Sequence, residues 1–195
     1  MKSRFLIPMM LFATVLLAAG CHQRAAKGES RKLGSRQKEI VELYNMADSV
    51  YYKEGRIDTA MFARFIEKAV SFAEAYPKDE ISEEMLYRAG IGSMILAKAA
   101  QGRVQTAEHA KKALYIFNLY QKNYPDSENA RYCYYQRGII YDDILGDCLS
   151  AENEYRDFIN RYPDDPLSMQ LSEYIKMLGK SDKEIEKMMH INQID

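Results

Sequence analysis

Residues 131–165 read RYCYYQRGIIYDDILGDCLSAENEYRDFINRYPDD, and this stretch decides the fold. Counting back from Tyr162, aromatic residues or alanine stand 4, 7 and 11 positions earlier, and these offsets lie on one face of a helix. The helix should end at Pro163, because proline cannot continue a helix comfortably. A preceding helix is predicted around Gly138, and Gly146 should stop it as a residue that tolerates a left-handed backbone. The stretch therefore predicts two helices joined by a short turn.

The same unit occurs twice more upstream. Tyr-Pro pairs stand at residues 76–77 and 124–125, and each tyrosine is again preceded at 4, 7 and 11 positions by an aromatic residue or alanine. Gly55 and Gly102 are placed to end the first helix of these two units. Small residues inside the first helices, such as Gly90, would let neighbouring helices approach closely. Three copies of one helical unit predict an all-α repeat protein.

The residues after the third unit predict a shorter terminal arrangement. A helix should start at Pro166 and stop at Gly179. Ser181 and Glu184 have the spacing of a capping box, which predicts one more helix. A repeat array needs a polar terminal cap, because the last repeat otherwise leaves an apolar face in water. We therefore interpret this segment as that cap.

The repeated pattern resembles the tetratricopeptide repeat family. Residues near the family's signature positions are Tyr134, Gly138, Tyr141, Gly146, Ala151, Tyr155 and Pro163. The resemblance implies antiparallel helix pairs stacked in a right-handed superhelix, with about three repeats in residues 36–165 and a capping helix pair and tail in residues 166–195. The aromatic form that ends in Tyr-Pro-Asp is similar to the repeats of periplasmic and outer-membrane assembly lipoproteins.

The amino terminus has the residue order of a secretory signal. Lys2 and Arg4 precede an apolar stretch of about 15 residues, which is shorter than the roughly 20 that a membrane-spanning helix needs. Residues 17–21, Leu-Ala-Ala-Gly-Cys, resemble the lipobox of bacterial lipoproteins. The resemblance implies removal of residues 1–20 and acylation of Cys21. The alternative is an ordinary signal peptide followed by a chance cysteine.

The segment after this cysteine is polar and basic. Residues 21–35 contain four arginines and lysines against the single acid Glu29. We expect a flexible tether that reaches on the order of 20 Å from the membrane. His22 does not match the aspartate that commonly retains such lipoproteins in the inner membrane. The resemblance therefore implies a location on the outer membrane, facing the periplasm.

Composition and motifs argue against several functions. The chain has 27 basic and 28 acidic residues, so it lacks the basic excess of nucleic-acid-binding proteins. No histidine has a partner at metal-ligand spacing, and Asp142, Asp143 and Asp147 do not match a calcium-binding loop. Cys133 and Cys148 should be free thiols, because their predicted positions lie roughly 20 Å apart. The sequence predicts no enzyme, cofactor or metal site.

A binding surface is the better prediction, because stacked helix pairs form an extended concave face. The family resemblance implies that the first helix of each pair lines this groove. The positions carried over are Tyr44, Asp48, Tyr51, Tyr87, Ile91, Met94, Tyr135, Ile139 and Asp142. Tyrosine is frequent in interfaces because it combines a large apolar area with a polar tip. The alternative is that these tyrosines only pack between helices.

Together these features predict a non-enzymatic scaffold that is anchored to the membrane through lipid on Cys21. It should bind proteins or extended peptide segments of the cell envelope and support envelope or outer-membrane assembly. Two alternatives stay open: a lipid-anchored small-ligand carrier or enzyme that uses the groove as its pocket, and an accessory subunit of a secretion system. The sequence leaves the oligomeric state open.

Overall fold

The computed structural model describes the backbone of residues 9–191 and the side chains of residues 29–181 and 183–187. Within residues 9–191 the chain is helical and contains no β-strand, so the all-α prediction is confirmed. The helices in chain order are α1 (Met9–Glu54), α2 (Thr59–Ala75), α3 (Ser82–Ala99), α4 (Arg103–Asn123), α5 (Glu128–Ile139), a π-helix (Ile140–Leu145), α6 (Cys148–Arg161), α7 (Pro166–Met177) and α8 (Asp182–Ile191).

The chain divides into two compact units, Met1–Glu42 and Leu43–Asp195, with the division inside α1. In the described part of the first unit the backbone is continuously helical. The prediction of a flexible coil at residues 21–35 is therefore wrong. Alanine, lysine, arginine, glutamine and glutamate dominate this segment, and these residues have high helix propensity. The helix propensity of these residues outweighs the free-energy cost of the two glycines, which is about 1 kcal/mol for each glycine relative to alanine.

The predicted signal segment is described only from Met9 onward, where it is helical. Lys2 and Arg4 lie outside the described residues, as do the side chain of Cys21 and the last four residues of the chain. No helix among the described residues combines the length and apolar character that crossing a membrane requires. Removal of residues 1–20 and acylation of Cys21 stay predictions.

Helix ends in the second unit follow the local sequence signals. The glycines predicted to end helices all have positive φ, at 62° for Gly55, 118° for Gly102, 67° for Gly146 and 72° for Gly179. The tyrosine of each Tyr-Pro pair is the C-cap of its helix, and its N–H still bonds to the carbonyl four residues earlier. Half of the predicted capping box is present: the Ser181 N–H donates to the Glu184 carboxylate at 2.8 Å, but the Glu184 N–H bonds to the Ser181 carbonyl and not to its hydroxyl.

The third helical repeat, residues 131–165, differs from the prediction between its two helices. The helix expected to run as α-helix up to Gly146 changes to a π-helix after Ile139. The Asp147 N–H then bonds to the Tyr141 carbonyl at 2.7 Å. A π-helix has a wider turn than an α-helix, so it takes up additional residues without breaking the element. Cys148 is consequently the first residue of α6 and does not lie in the turn.

Helices α3 and α4 of the second unit pack against each other and run antiparallel. Near the start of α3, Glu83 accepts a hydrogen bond from Tyr120 near the end of α4 at 3.0 Å. Farther along α3, Gly90 faces the ring of Phe117, which lies earlier in α4. The large side chains that are almost fully buried are mainly aromatic: Phe65, Phe117, Tyr120, Tyr155 and Phe158.

The small residues predicted to allow close approach do so. A Cβ built on Gly90 would lie 2.7 Å from Cε1 of Phe117, and one on Gly138 would lie 2.1 Å from Cε1 of Tyr155. Both values are shorter than any van der Waals contact between carbon atoms. The separation of α3 from α4, and of α5 from α6, therefore depends on the missing side chain at these glycines.

The cysteines of the second unit are both free. Cys133 is buried in α5, and its thiol donates a weak hydrogen bond to the Asn129 carbonyl at 3.6 Å. Burial raises the pKa of the Cys133 thiol to about 12, so the group stays protonated at neutral pH. Cys133 therefore acts as a small packed side chain, since the thiolate is the reactive form.

Candidate functional site

The second unit contains a cavity of about 510 Å³ whose walls come from α1, α2, α3 and the start of α5. Five of the nine predicted groove residues line it: Tyr44, Asp48, Tyr51, Tyr87 and Ile91. They come from α1 and α3, which are the first helices of the first two predicted repeats. We call this space the tyrosine cavity.

The other predicted groove residues lie elsewhere. Met94 is buried in α3 and does not line the cavity. The cavity is lined by Ile91 and Ile95, which are four residues apart and share a helical face that does not include Met94. Tyr135 belongs to a cluster formed by α5, α6 and α7, with its ring centroid 6.4 Å from that of Tyr155. Ile139 and Asp142 also do not contribute to the tyrosine cavity. Asp142 accepts a hydrogen bond from Tyr174 of α7.

Several lining residues were not predicted. They are Tyr52, Phe62, Glu80, Glu83, Glu84, Arg88, Gly92, Ile95 and Asn129. Part of this set has a signal in the sequence, since Glu84 and Arg88 stand four residues apart and so share one face of α3. Glu80 lies in the turn before α3. Asn129 has no such signal, because it reaches the cavity from α5 only through tertiary packing.

One wall already holds a cation against an aromatic ring. The Arg88 guanidinium carbon lies 4.3 Å from the ring centroid of Tyr44, within the range of a cation–π contact. Arg88 also donates from Nε to Oε1 of Glu84 at 2.9 Å. The Tyr44 hydroxyl donates to Asp48 at 3.2 Å. Burial raises the pKa of Tyr44, opposed by the charge of Arg88 and assisted by Asp48, so the hydroxyl remains a donor at neutral pH.

The other tyrosines differ in how firmly they are held. Tyr87 is half-buried and packs edge-on against Phe117 and Tyr120, at centroid distances of 5.8 and 5.3 Å. Burial raises the pKa of Tyr87. Tyr51 and Tyr52 also make an edge-on pair at 5.3 Å, but Tyr52 is 76% exposed. Tyr87 therefore both packs in the core and lines the cavity, whereas Tyr52 stands mainly in solvent.

The lining carries an excess of acidic groups. Asp48, Glu80, Glu83 and Glu84 are opposed by Arg88 alone, so the formal charge is 1 − 4 = −3. No group of three or more histidine, cysteine, aspartate or glutamate residues in the described part of the chain is arranged to hold a metal ion. The arrangement offers aromatic faces, aliphatic side chains and negative charge, which are properties suited to binding.

No protein-family model matches this chain, and no curated protein matches it in sequence.

Proposed function

We propose that the protein is a membrane-anchored, non-enzymatic scaffold of the bacterial cell envelope that binds segments of partner proteins in the tyrosine cavity. The observation that carries this proposal is the concentration of tyrosines from α1 and α3 around one cavity, with Tyr52 76% exposed. Tyrosine supplies a large contact area at low cost in conformational entropy, and it is enriched among residues that dominate binding energy.

The proposal includes a tetratricopeptide-like architecture, in which helix pairs stack in a right-handed superhelix and α7 and α8 form the cap. The antiparallel packing of α3 against α4 supports it, as do the close approaches at Gly90 and Gly138. In such an array α1, α3 and α5 are the first helices of successive pairs. These three helices all contribute residues to the tyrosine cavity.

Anchoring is proposed through lipid on Cys21, on the periplasmic face of the outer membrane. Two features support this proposal: residues 17–21 resemble a lipobox, and the residue after Cys21 is His22 and not an aspartate. Each acyl CH₂ buried in the bilayer would contribute about 0.8 kcal/mol, so several chains hold a protein firmly. Support of envelope or outer-membrane assembly is the role that this location and the cavity together favour.

Replacing Cys21 should move the protein from the membrane to the soluble fraction. Cys21→Ser removes the thiol that would be acylated, while the folded second unit contains no part of this site. Membrane fractionation and labelling with a fatty-acid analogue measure the result, and circular dichroism checks the fold. Cys148→Ser is the matched control and should remain lipid-labelled and membrane-bound. A Cys21→Ser variant that stays in the membrane fraction would contradict the proposed anchor.

Crosslinking in intact cells tests the scaffold. A photoreactive phenylalanine analogue at Tyr52 would stand at the tyrosine cavity, and the same analogue at Met169, which is 73% exposed on α7, provides the control. We expect protein adducts at position 52 that are absent at position 169 and that decrease when Tyr51 is replaced by alanine. Adducts that are equal at both positions, or absent at position 52, would contradict the proposal.

The cavity volume favours one alternative function, a carrier of a small ligand. About 510 Å³ lies within the range of small-molecule sites, which is roughly 300–1,000 Å³. A carrier predicts a small molecule that copurifies with the full chain and is lost when Tyr87 is replaced by alanine. Native mass spectrometry of both proteins distinguishes this outcome from the protein adducts expected of a scaffold.

A further inference from the structure

Acidic residues outnumber basic residues in the lining of the tyrosine cavity, and the contacts within the cavity do not neutralise this excess. Arg88 pairs with Glu84, which leaves Asp48, Glu80 and Glu83 without a basic partner among the lining residues. Asp48 and Glu83 do accept hydrogen bonds, from the hydroxyls of tyrosines in α1 and α4. A neutral hydroxyl satisfies a lone pair but does not cancel a negative charge, so no base among the lining residues compensates these three carboxylates.

The aromatic walls favour the same kind of ligand as these carboxylates. The negative face of an aromatic ring attracts a cation, and the attraction is stronger where the pair is shielded from water. Arg88 over Tyr44 is an example within the cavity itself. Tyr51, Tyr52 and Tyr87 line the same space, which adds three aromatic rings to the one that Arg88 covers.

We infer that the tyrosine cavity takes a lysine or arginine side chain presented by an extended segment of the partner protein, an inference that rests on the proposed function. The cationic head is placed among Asp48, Glu80 and Glu83. The long apolar stem of either side chain packs on tyrosine rings and on Ile91 and Ile95. An acidic segment would meet a formal charge of −3 and be repelled.

Binding of matched peptides to the full chain in detergent micelles tests this inference. The probes are three short fluorescent peptides of one sequence that carry lysine, acetyl-lysine or glutamate at the central position. Acetylation keeps the stem and removes the charge. We expect the lysine peptide to bind about tenfold more tightly than the acetyl-lysine peptide, equivalent to about 1.4 kcal/mol. The preference should decrease as salt is raised, because exposed charges are screened.

Charge variants of the protein locate the effect. Glu80→Gln and Asp48→Asn should each reduce the preference for lysine over acetyl-lysine several-fold. Glu173→Gln is the matched control, because this carboxylate lies on α7 outside the cavity, with its side chain 66% exposed. Far-ultraviolet circular dichroism of each variant shows whether the fold is intact. An unchanged preference in the folded Glu80→Gln and Asp48→Asn proteins would overturn the inference.

The remaining outcomes separate the inference from the proposed function. A lysine peptide that binds no better than the acetylated and glutamate peptides overturns the inference, and this includes a lysine peptide that does not bind. Protein adducts at position 52 in cells would then still support the scaffold. A dimer of the chain that dissociates with Glu80→Gln would identify a second copy as the occupant, and this also overturns the inference.

Discussion

Gly138→Ala is expected to destabilise the second unit by at least about 3 kcal/mol, at the upper end of the cost of overpacking. The added methyl group would lie 2.1 Å from Cε1 and 2.5 Å from Cδ1 of Tyr155. This ring is only 2% exposed, and Tyr174 packs edge-on against it at 5.8 Å. Because the ring has no free space to enter, α5 and α6 must separate.

Urea unfolding followed by circular dichroism measures this effect, with a glycine in open surroundings as the control. A Cβ on Gly34 meets only the end of the Gln37 side chain, at 4.0 Å. Gly34→Ala should therefore stabilise helix α1 by up to about 1 kcal/mol, through helix propensity alone. Trimming the facing ring in Gly138→Ala/Tyr155→Leu should recover part of the loss. A Gly138→Ala protein as stable as the parent would contradict the close approach.

The helix ends could be predicted from sequence because local chemistry determines them. A glycine such as Gly146 adopts positive φ at low cost whatever surrounds it, and Pro163 ends its helix for covalent reasons. Residues 21–35 are helical although their polarity predicted a flexible coil, because most of these residues have side chains that favour a helix. Polarity reports exposure to solvent, and an exposed segment can be helical.

The cavity could be predicted only in part, because periodicity identifies a face of a helix but not the neighbour of that face. Tyr44 and Tyr87 occupy corresponding positions in the first two copies, and both line the tyrosine cavity. Tyr135 occupies the corresponding position in the third copy, yet there the space is filled by packing between α5, α6 and α7. Three of the four carboxylates in the lining, Glu80, Glu83 and Glu84, were not predicted, and their charge favours the cationic ligand proposed for the cavity.

A buried ion pair joins three helices and has no signal in the sequence. Arg137 of α5 is 5% exposed and donates to both carboxylate oxygens of Glu154 in α6, at 2.9 and 2.8 Å. It also donates to Gln121 of α4 at 2.6 Å, and its guanidinium carbon lies 4.8 Å from the ring centroid of Tyr134. We expect Arg137→Met to lower the free energy of unfolding by about 3–5 kcal/mol, because the substitution leaves the largely buried carboxylate of Glu154 without its partner.

The double variant Arg137→Met/Glu154→Leu separates two contributions to this cost. If the uncompensated charge dominates, removing it should restore most of the lost stability, since apolar pairs of similar size often replace buried ion pairs without loss. Denaturant unfolding of the parent, both single variants and the double variant gives the coupling energy.

The exposed pair of Arg156 and Glu152 on α6 provides the reference, and Arg156→Met should cost no more than about 0.5 kcal/mol. A double variant as unstable as Arg137→Met would contradict the dominance of charge. The contacts of the guanidinium with Gln121 and Tyr134 would then be what holds α4, α5 and α6 together. In either case, we expect a deficit much larger than that of Arg156→Met, because Arg137 is buried and donates to both carboxylate oxygens of Glu154, whereas the more exposed Arg156 donates to one oxygen of Glu152.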